Sequence, residues 1–163
     1  MIAAVSLILA GCAPAAPPRA SLFRAADAPI YSAAAFDASR LAGRWVQVAA
    51  FSASDAPDCR AGSAEFIPAA SGLRLVADLC LNGERRRVSG AVTPAGPGRL
   101  AVDGMEDWWI VWVDSGYRTL AIATPSGRFG DILDRGAIPG DRLQAAREVF
   151  DFNGYVTSAL KAF

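Results

Sequence analysis

Histidine is missing from all 163 residues. Its absence removes the commonest general base, the usual zinc and haem ligand, and every catalytic triad that relies on imidazole. A surplus of charge is missing too. The chain sets 16 basic residues against 16 acidic ones, so it lacks the strongly basic face of a nucleic-acid binder, and nucleic acid is not an expected partner. No G-x-S-x-G elbow presents a serine, no glycine-rich loop cradles a phosphate, and the three cysteines form no C-x-x-C pair. The expectation is therefore a protein without metal or cofactor that is not an enzyme. What remains is a chain 53% hydrophobic, of one-domain size and long enough to bury a core or enclose a cavity.

Residues 2 to 11, IAAVSLILAG, form an apolar run well short of the ~20 helical residues that cross a bilayer. The run reads as a processed leader over residues 1 to 11. It ends in Leu9-Ala10-Gly11-Cys12, which resembles the bacterial lipobox. Small residues there let a peptidase reach the backbone, and the Cys12 thiol would take a diacylglyceryl group, giving firm attachment once two or more acyl chains are present. No Lys or Arg precedes the run, so either translation starts upstream of Met1 or the leader is a weak one. Ala13 rather than Asp follows the cysteine, which by the lipoprotein pattern implies the outer membrane, on its periplasmic side. Residues 12 to 38 are rich in Ala and Pro without a sustained period and read as a tether. Its last part, near Phe36 to Leu41, is placed to close one end of a folded domain spanning 39 to 163.

From Gly43 to Arg135 short β-prone runs alternate with turn residues: 43–51, 62–68, 73–81, 86–93, 99–103, 108–114, 118–124 and 128–135. The turns include Ser71-Gly72, Asn82-Gly83, Gly96-Pro97-Gly98, Asp103-Gly104, Ser115-Gly116 and Ser126-Gly127, as tight hairpins require. After Pro139-Gly140, residues 141 to 151 set Leu143, Ala146, Val149 and Phe150 at helical spacing. The fold class expected is all-β: an eight-stranded antiparallel up-and-down barrel, closed so that no edge is exposed, with one C-terminal α-helix packed outside.

Gly43-Arg44-Trp45 at the start of the first strand resembles the G-x-W signature of lipocalins. Asp114-Ser115-Gly116-Tyr117 after the sixth strand is similar to the second lipocalin motif, and Ile132-Leu133-Asp134-Arg135 to the third. Their order fits, a helix follows, and the resemblance, which covers roughly residues 39 to 160, extends to bacterial outer-membrane lipocalins that carry a lipobox. In an up-and-down barrel the start of strand one, the turn between strands six and seven and the end of strand eight share one end. Trp45, Tyr117 and Arg135 are thus expected to meet there as a cation–π closure of the floor, a structural role rather than a ligand contact. Cys59, just before strand two, and Cys80, near the end of strand three, both fall at the opposite, open end. A disulfide suits that placement, whereas a metal pair lacks further soft ligands.

Period two fixes which residues share a face. In strand three Leu73, Leu75, Ala77, Leu79 and Leu81 share the face expected inside. The resemblance puts Trp108, Ile110 and Trp112 inward, with Trp109 and Val111 outward, and likewise Ala64, Phe66, Ala121, Ala123, Phe129 and Leu133. Ala64, Ala77, Ala121 and Ala123 would leave room for a ligand, unless the side chains simply fill the barrel. Asp131 shares a face with Phe129 and Leu133. It is either a solvated carboxylate at the mouth or, if buried, a contact for a polar group that needs a partner or a raised pKa. Arg85, Arg86 and Arg87 beside the Asn82-Gly83 turn either attract a carboxylate or phosphate head group or merely solvate the turn. The expected function is membrane-anchored binding, transport or storage of a small hydrophobic ligand, a fatty acid or lysophospholipid. The rival readings are a filled-barrel envelope lipoprotein that binds a protein partner, and an enzyme on an apolar substrate.

Overall fold

The computed structural model describes residues 23–55 and 59–163. Cys12, the leader and the first part of the expected tether lie outside the described residues.

Eight strands follow the expected rhythm: β1 (Gly43–Phe51), β2 (Ser63–Ala69), β3 (Gly72–Leu81), β4 (Glu84–Gly96), β5 (Arg99–Val102), β6 (Trp108–Val113), β7 (Thr119–Ala123) and β8 (Gly130–Asp134). Each pairs antiparallel with the next, and β1 pairs with both β8 and β2, which closes the barrel. The β3–β4 hairpin shows how local chemistry sets register. Asn82 and Gly83 take φ of 52° and 77°, the left-handed pair of a two-residue turn whose twist matches its strands, and Leu81 therefore faces Glu84. A ninth short strand that the pattern did not signal, β9 (Leu160–Ala162), lies along Ala49 to Phe51 of β1, beyond the stretch that β2 covers.

The helix expected over 141 to 151 is α1 (Gly140–Phe152), packed outside the barrel. Two apolar layers result. An inner one fills the barrel with Trp45, Phe66, Leu75, Trp108, Ile110 and Ile122. An outer one joins Phe51, Val111 and Ala121 on the sheet to Ala146 and Phe150 on α1 and to Tyr155 beyond it. Gly130 makes room for two rings of the outer layer: a Cβ there would lie 2.6 Å from the Phe51 ring and 3.1 Å from Phe150. Those two rings meet edge-on, with centroids 4.9 Å apart.

The Ala/Pro-rich stretch is docked on the barrel from Phe23 onward. Phe23 is buried, and the buried Arg24 donates to the carbonyls of Asn153, Pro125 and Ala28. Farther along, the Ala33 amide donates to the Ile110 carbonyl at 2.7 Å, and the Ile110 amide to the Gly98 carbonyl at 2.8 Å. The reason is local. Strand β5 is only four residues long and leaves much of the β6 edge without a partner strand, so the passing segment satisfies a backbone group that would otherwise be stranded.

Candidate ligand-binding site

At the closed end a 3-10 turn (Ala38–Leu41) lies across the barrel. The Trp45 indole N–H donates to the Leu41 carbonyl at 2.8 Å. The Arg135 guanidinium sits 3.9 Å from the centre of the Trp45 ring and donates to the carbonyls of Arg40, Leu41 and Arg44. Gly43 adopts φ +101°, and a Cβ on it would lie 3.0 Å from Arg135 Nη1, so glycine serves both the backbone and the arginine. Tyr117 carries Arg40 over its ring at 3.7 Å and accepts the Asp37 amide at 2.7 Å. Asp114 folds the preceding turn by accepting the amides of Gly116, Arg118 and Thr119. Burial works to raise its carboxyl, but the amides of Thr119 and Arg118 and their neighbours outweigh it, and its pKa is lowered. These residues close the floor of the barrel.

The other end is bounded by the Asn82-Gly83 turn, the 103–107 loop and the 124–129 loop. Between them lies a basin of about 480 Å³. Leu81, Val88, Met105 and Phe129 give it an apolar floor, and Arg86, Arg87 and Arg128 at its rim outnumber Glu84 and Glu106. A somewhat larger hollow, about 590 Å³, lies at the closed end between the 3-10 turn and β2 to β5. Its guanidinium, Arg99, is stacked 4.3 Å from the Trp109 ring; at the mouth Arg86 pairs with Glu84 at 2.9 Å and Arg87 with Asp78 at 3.6 Å, and Arg128 has no ion pair among the described residues. Cys59 and Cys80 are joined as a disulfide, with Cα atoms 5.6 Å apart, and tie the segment just before β2 to the end of β3 beside the mouth.

Of the residues expected inside, Ala64, Phe66, Leu75, Ala77, Trp108, Ile110, Phe129 and Leu133 belong to the inner layer. Asp131 shares their face and is buried. Trp112, Ala121 and Ala123, expected inward, instead belong to the outer layer against α1 and its neighbours. A bulge in β6 is responsible for Trp112: pairing steps from Ile110↔Ile122 to Trp112↔Ala121, and the extra residue turns Trp112 outward. In β7 all five residues are buried, so alternation alone gave no face. Leu120 and Ile122 point in, while Ala121 and Ala123 are small because a helix lies over them and not because a ligand does. Leu75, Trp108, Ile110, Leu120, Ile122 and Leu133 have 0% exposure, so no water-sized space borders them and the middle of the barrel is packed.

One residue of the site went unnoticed in the sequence. Gln47 is buried, and its amide NH₂ donates to Asp131 Oδ1 and to the Cys80 carbonyl, both at 2.8 Å. Its oxygen accepts the amides of Gly62 and Cys80. The signal was present, because Gln47 follows the inward Trp45 by two positions. Burial pushes the Asp131 carboxyl up to about 7, against the lowering effect of the Gln47 amide. Asp131 Oδ2 and Trp108 Nε1 are buried without a hydrogen-bond partner among the described residues.

Residues 36–163 match the model of the lipocalin-like domain family. The chain belongs to the lipocalin family. Among solved structures this lipocalin is similar to insecticyanin from the tobacco hornworm Manduca sexta, with a TM-score of 0.60 and 14% identity over 82% of this chain and 83% of that one. That likeness shows the fold. No curated protein matches the chain. The lipocalin fold typically binds small hydrophobic ligands, and its members are generally binding proteins rather than enzymes.

Proposed function

We propose that this lipocalin binds a small amphiphile, an apolar chain with an anionic head such as a fatty acid or lysophospholipid. In this reading the head group rests at the mouth arginines and the apolar chain lies on the lining of the mouth basin, above the packed middle of the barrel, and the protein is held at the periplasmic side of the outer membrane by acylated Cys12. The mouth basin carries the proposal: Leu81, Val88, Met105 and Phe129 line it together with the guanidinium groups of Arg86 and Arg128. Apolar burial would supply the affinity and guanidinium hydrogen bonds the preference for an anion. For the anchor, support comes from Leu9-Ala10-Gly11-Cys12, 11 residues before the chain docks at Phe23.

Titration of the full chain carrying Cys12→Ser, which cannot be acylated, with a long-chain fatty acid and its neutral alcohol tests the reading. Replacing Arg86 and Arg128 together by Ser should weaken the acid about tenfold, roughly 1.4 kcal/mol, and leave the alcohol nearly unchanged. Equal loss of both, or no binding of either, would reject it. A second reading has its own observation: the packed interior fits a structural lipoprotein whose partner is another protein. In that case neither compound binds and the purified protein carries no lipid.

A further inference from the structure

Among the described residues, the large apolar side chains most open to water are Phe152, Val156 and Tyr31, at 70%, 58% and 54% exposure. They gather at one place. The rings of Tyr31 and Phe152 lie 5.7 Å apart, and the Tyr31 amide donates to Asn153 Oδ1 at 2.6 Å. The Val156 amide donates to the Phe23 carbonyl at 2.8 Å, so the patch adjoins the point where the N-terminal segment meets the domain. That point is at the mouth end. The Phe23 amide donates to the Gly127 carbonyl at 2.7 Å, the Arg24 guanidinium to the Pro125 carbonyl, and the Tyr155 hydroxyl reaches the carbonyls of Thr124 and Phe129, all in the loop that bounds the mouth basin. From there the segment runs down the barrel wall, past Ile110 at Ala33 and to Tyr117 at Asp37 on the closed end.

A cluster of water-exposed apolar side chains marks contact with something apolar, and the covalent chain says with what. Cys12 lies 11 residues before Phe23, a stretch that spans at most ~40 Å, so an acylated Cys12 keeps the mouth rim, where that stretch arrives, close to the bilayer. We propose that the Tyr31, Phe152 and Val156 patch rests in the lipid surface, with Phe152 and Val156 entering the acyl boundary and Tyr31 at the head-group level, so that the mouth basin opens beside the leaflet. This orientation rests on the acylated-anchor reading above and goes beyond it by fixing which end of the barrel faces lipid and which side chains touch it. Tyrosine suits its place because its ring is apolar and its hydroxyl polar. The exposed charges nearby in the fold are of both signs, Asp27 and Asp151 against Arg128, so apolar burial and not attraction to anionic head groups holds the patch. A lipid surface is also the apolar partner that the anchor itself brings within reach. An amphiphile leaving the leaflet then meets Arg128 and Phe129, which line the basin and belong to the loop that receives Phe23.

The test uses the full chain purified from cell envelopes and reconstituted into vesicles of phosphatidylethanolamine and phosphatidylglycerol with brominated acyl chains. A small fluorophore attached at Phe152→Cys should lose much of its emission to the bromines. The same fluorophore at Ile67→Cys, an exposed position of β2 near the closed end, should keep its emission. Both sites are open to water, so neither label disturbs the core, and replacing Tyr31 and Val156 together by Ser should reduce the quenching at position 152. If mass spectrometry finds Cys12 acylated and the label at 152 is quenched no more than the label at 67, the orientation is overturned while the anchor stands. Cross-linking of the 152 positions of two chains, with the label there unquenched, would assign the patch to a second copy and overturn it equally. If Cys12 carries no acyl group and the chain stays in the soluble fraction, the anchor reading fails and the orientation falls with it.

Discussion

Asp131 is the residue whose chemistry departs most from the ordinary. Its carboxyl titrates near 3.8 in an open chain and is pushed to about 7 by burial in the folded one. Between those values the unfolded state releases a proton that the folded state keeps. Its contribution to stability is therefore most favourable below about pH 4, declines as pH rises to 7, and is flat above that, a loss on the order of 4 kcal/mol. Asp131→Asn removes the titration. Its stability relative to the parent, measured by urea unfolding across pH, should rise steadily from pH 4 to 7 and then level; a difference independent of pH would show that the carboxyl is not buried in solution. Trp45 and Arg135 have a different task. Arg135→Ala deletes the stacking on Trp45 and three hydrogen bonds to backbone carbonyls, and should lower stability by about 1–3 kcal/mol while leaving ligand preference unchanged. A change in ligand selectivity from that variant would place the floor in the binding site.

At the scale of elements, the barrel rests on strand pairing and on the layer beneath α1. Phe150 is fully buried against Phe51 and Tyr155, and Phe150→Ala should cost about 3–5 kcal/mol in chemical denaturation. A loss under 1 kcal/mol would mean that the helix is only loosely held. Trp112→Ala, which acts on this outer layer, should reduce stability without shifting ligand affinity more than twofold. The strands were legible in the sequence because each couples a turn dipeptide to a two-residue period, and β3, with its leucines on one face, gave its orientation outright. Trp112 was not legible, since nothing in Trp108-Trp109-Ile110-Val111-Trp112 marks where a bulge falls when both faces are apolar. Ala121 and Ala123 failed for a related reason: a small residue signals space, but the sequence does not say whether a ligand or a helix occupies it. Nor did composition reveal that the chain at Ala33 docks on the β6 edge, because that docking answers a shortfall in β5 that appears only once the strands are paired.

For the whole molecule, the two ends of the barrel divide the work. The closed end is fixed by Trp45, Arg135 and Tyr117, whereas the mouth gathers the disulfide, the arginines and Phe129. Joining Cys59 to Cys80 closes a loop of 21 residues in sequence separation, a stabilisation of ~3 kcal/mol in the chain-entropy model. Reducing it should loosen the mouth loop and the Gln47 contacts that depend on Cys80. Hydrogen exchange on the reduced protein should therefore accelerate at Gly62 and Cys80 before it does at Trp45. The central claim, that this barrel carries an apolar ligand, is tested most directly by native mass spectrometry and lipid extraction on the full chain purified from cell envelopes. The account predicts a stoichiometric acidic lipid of small mass in place of a bare protein; a clean apo mass that stays unchanged after incubation with fatty acids and lysophospholipids would contradict it.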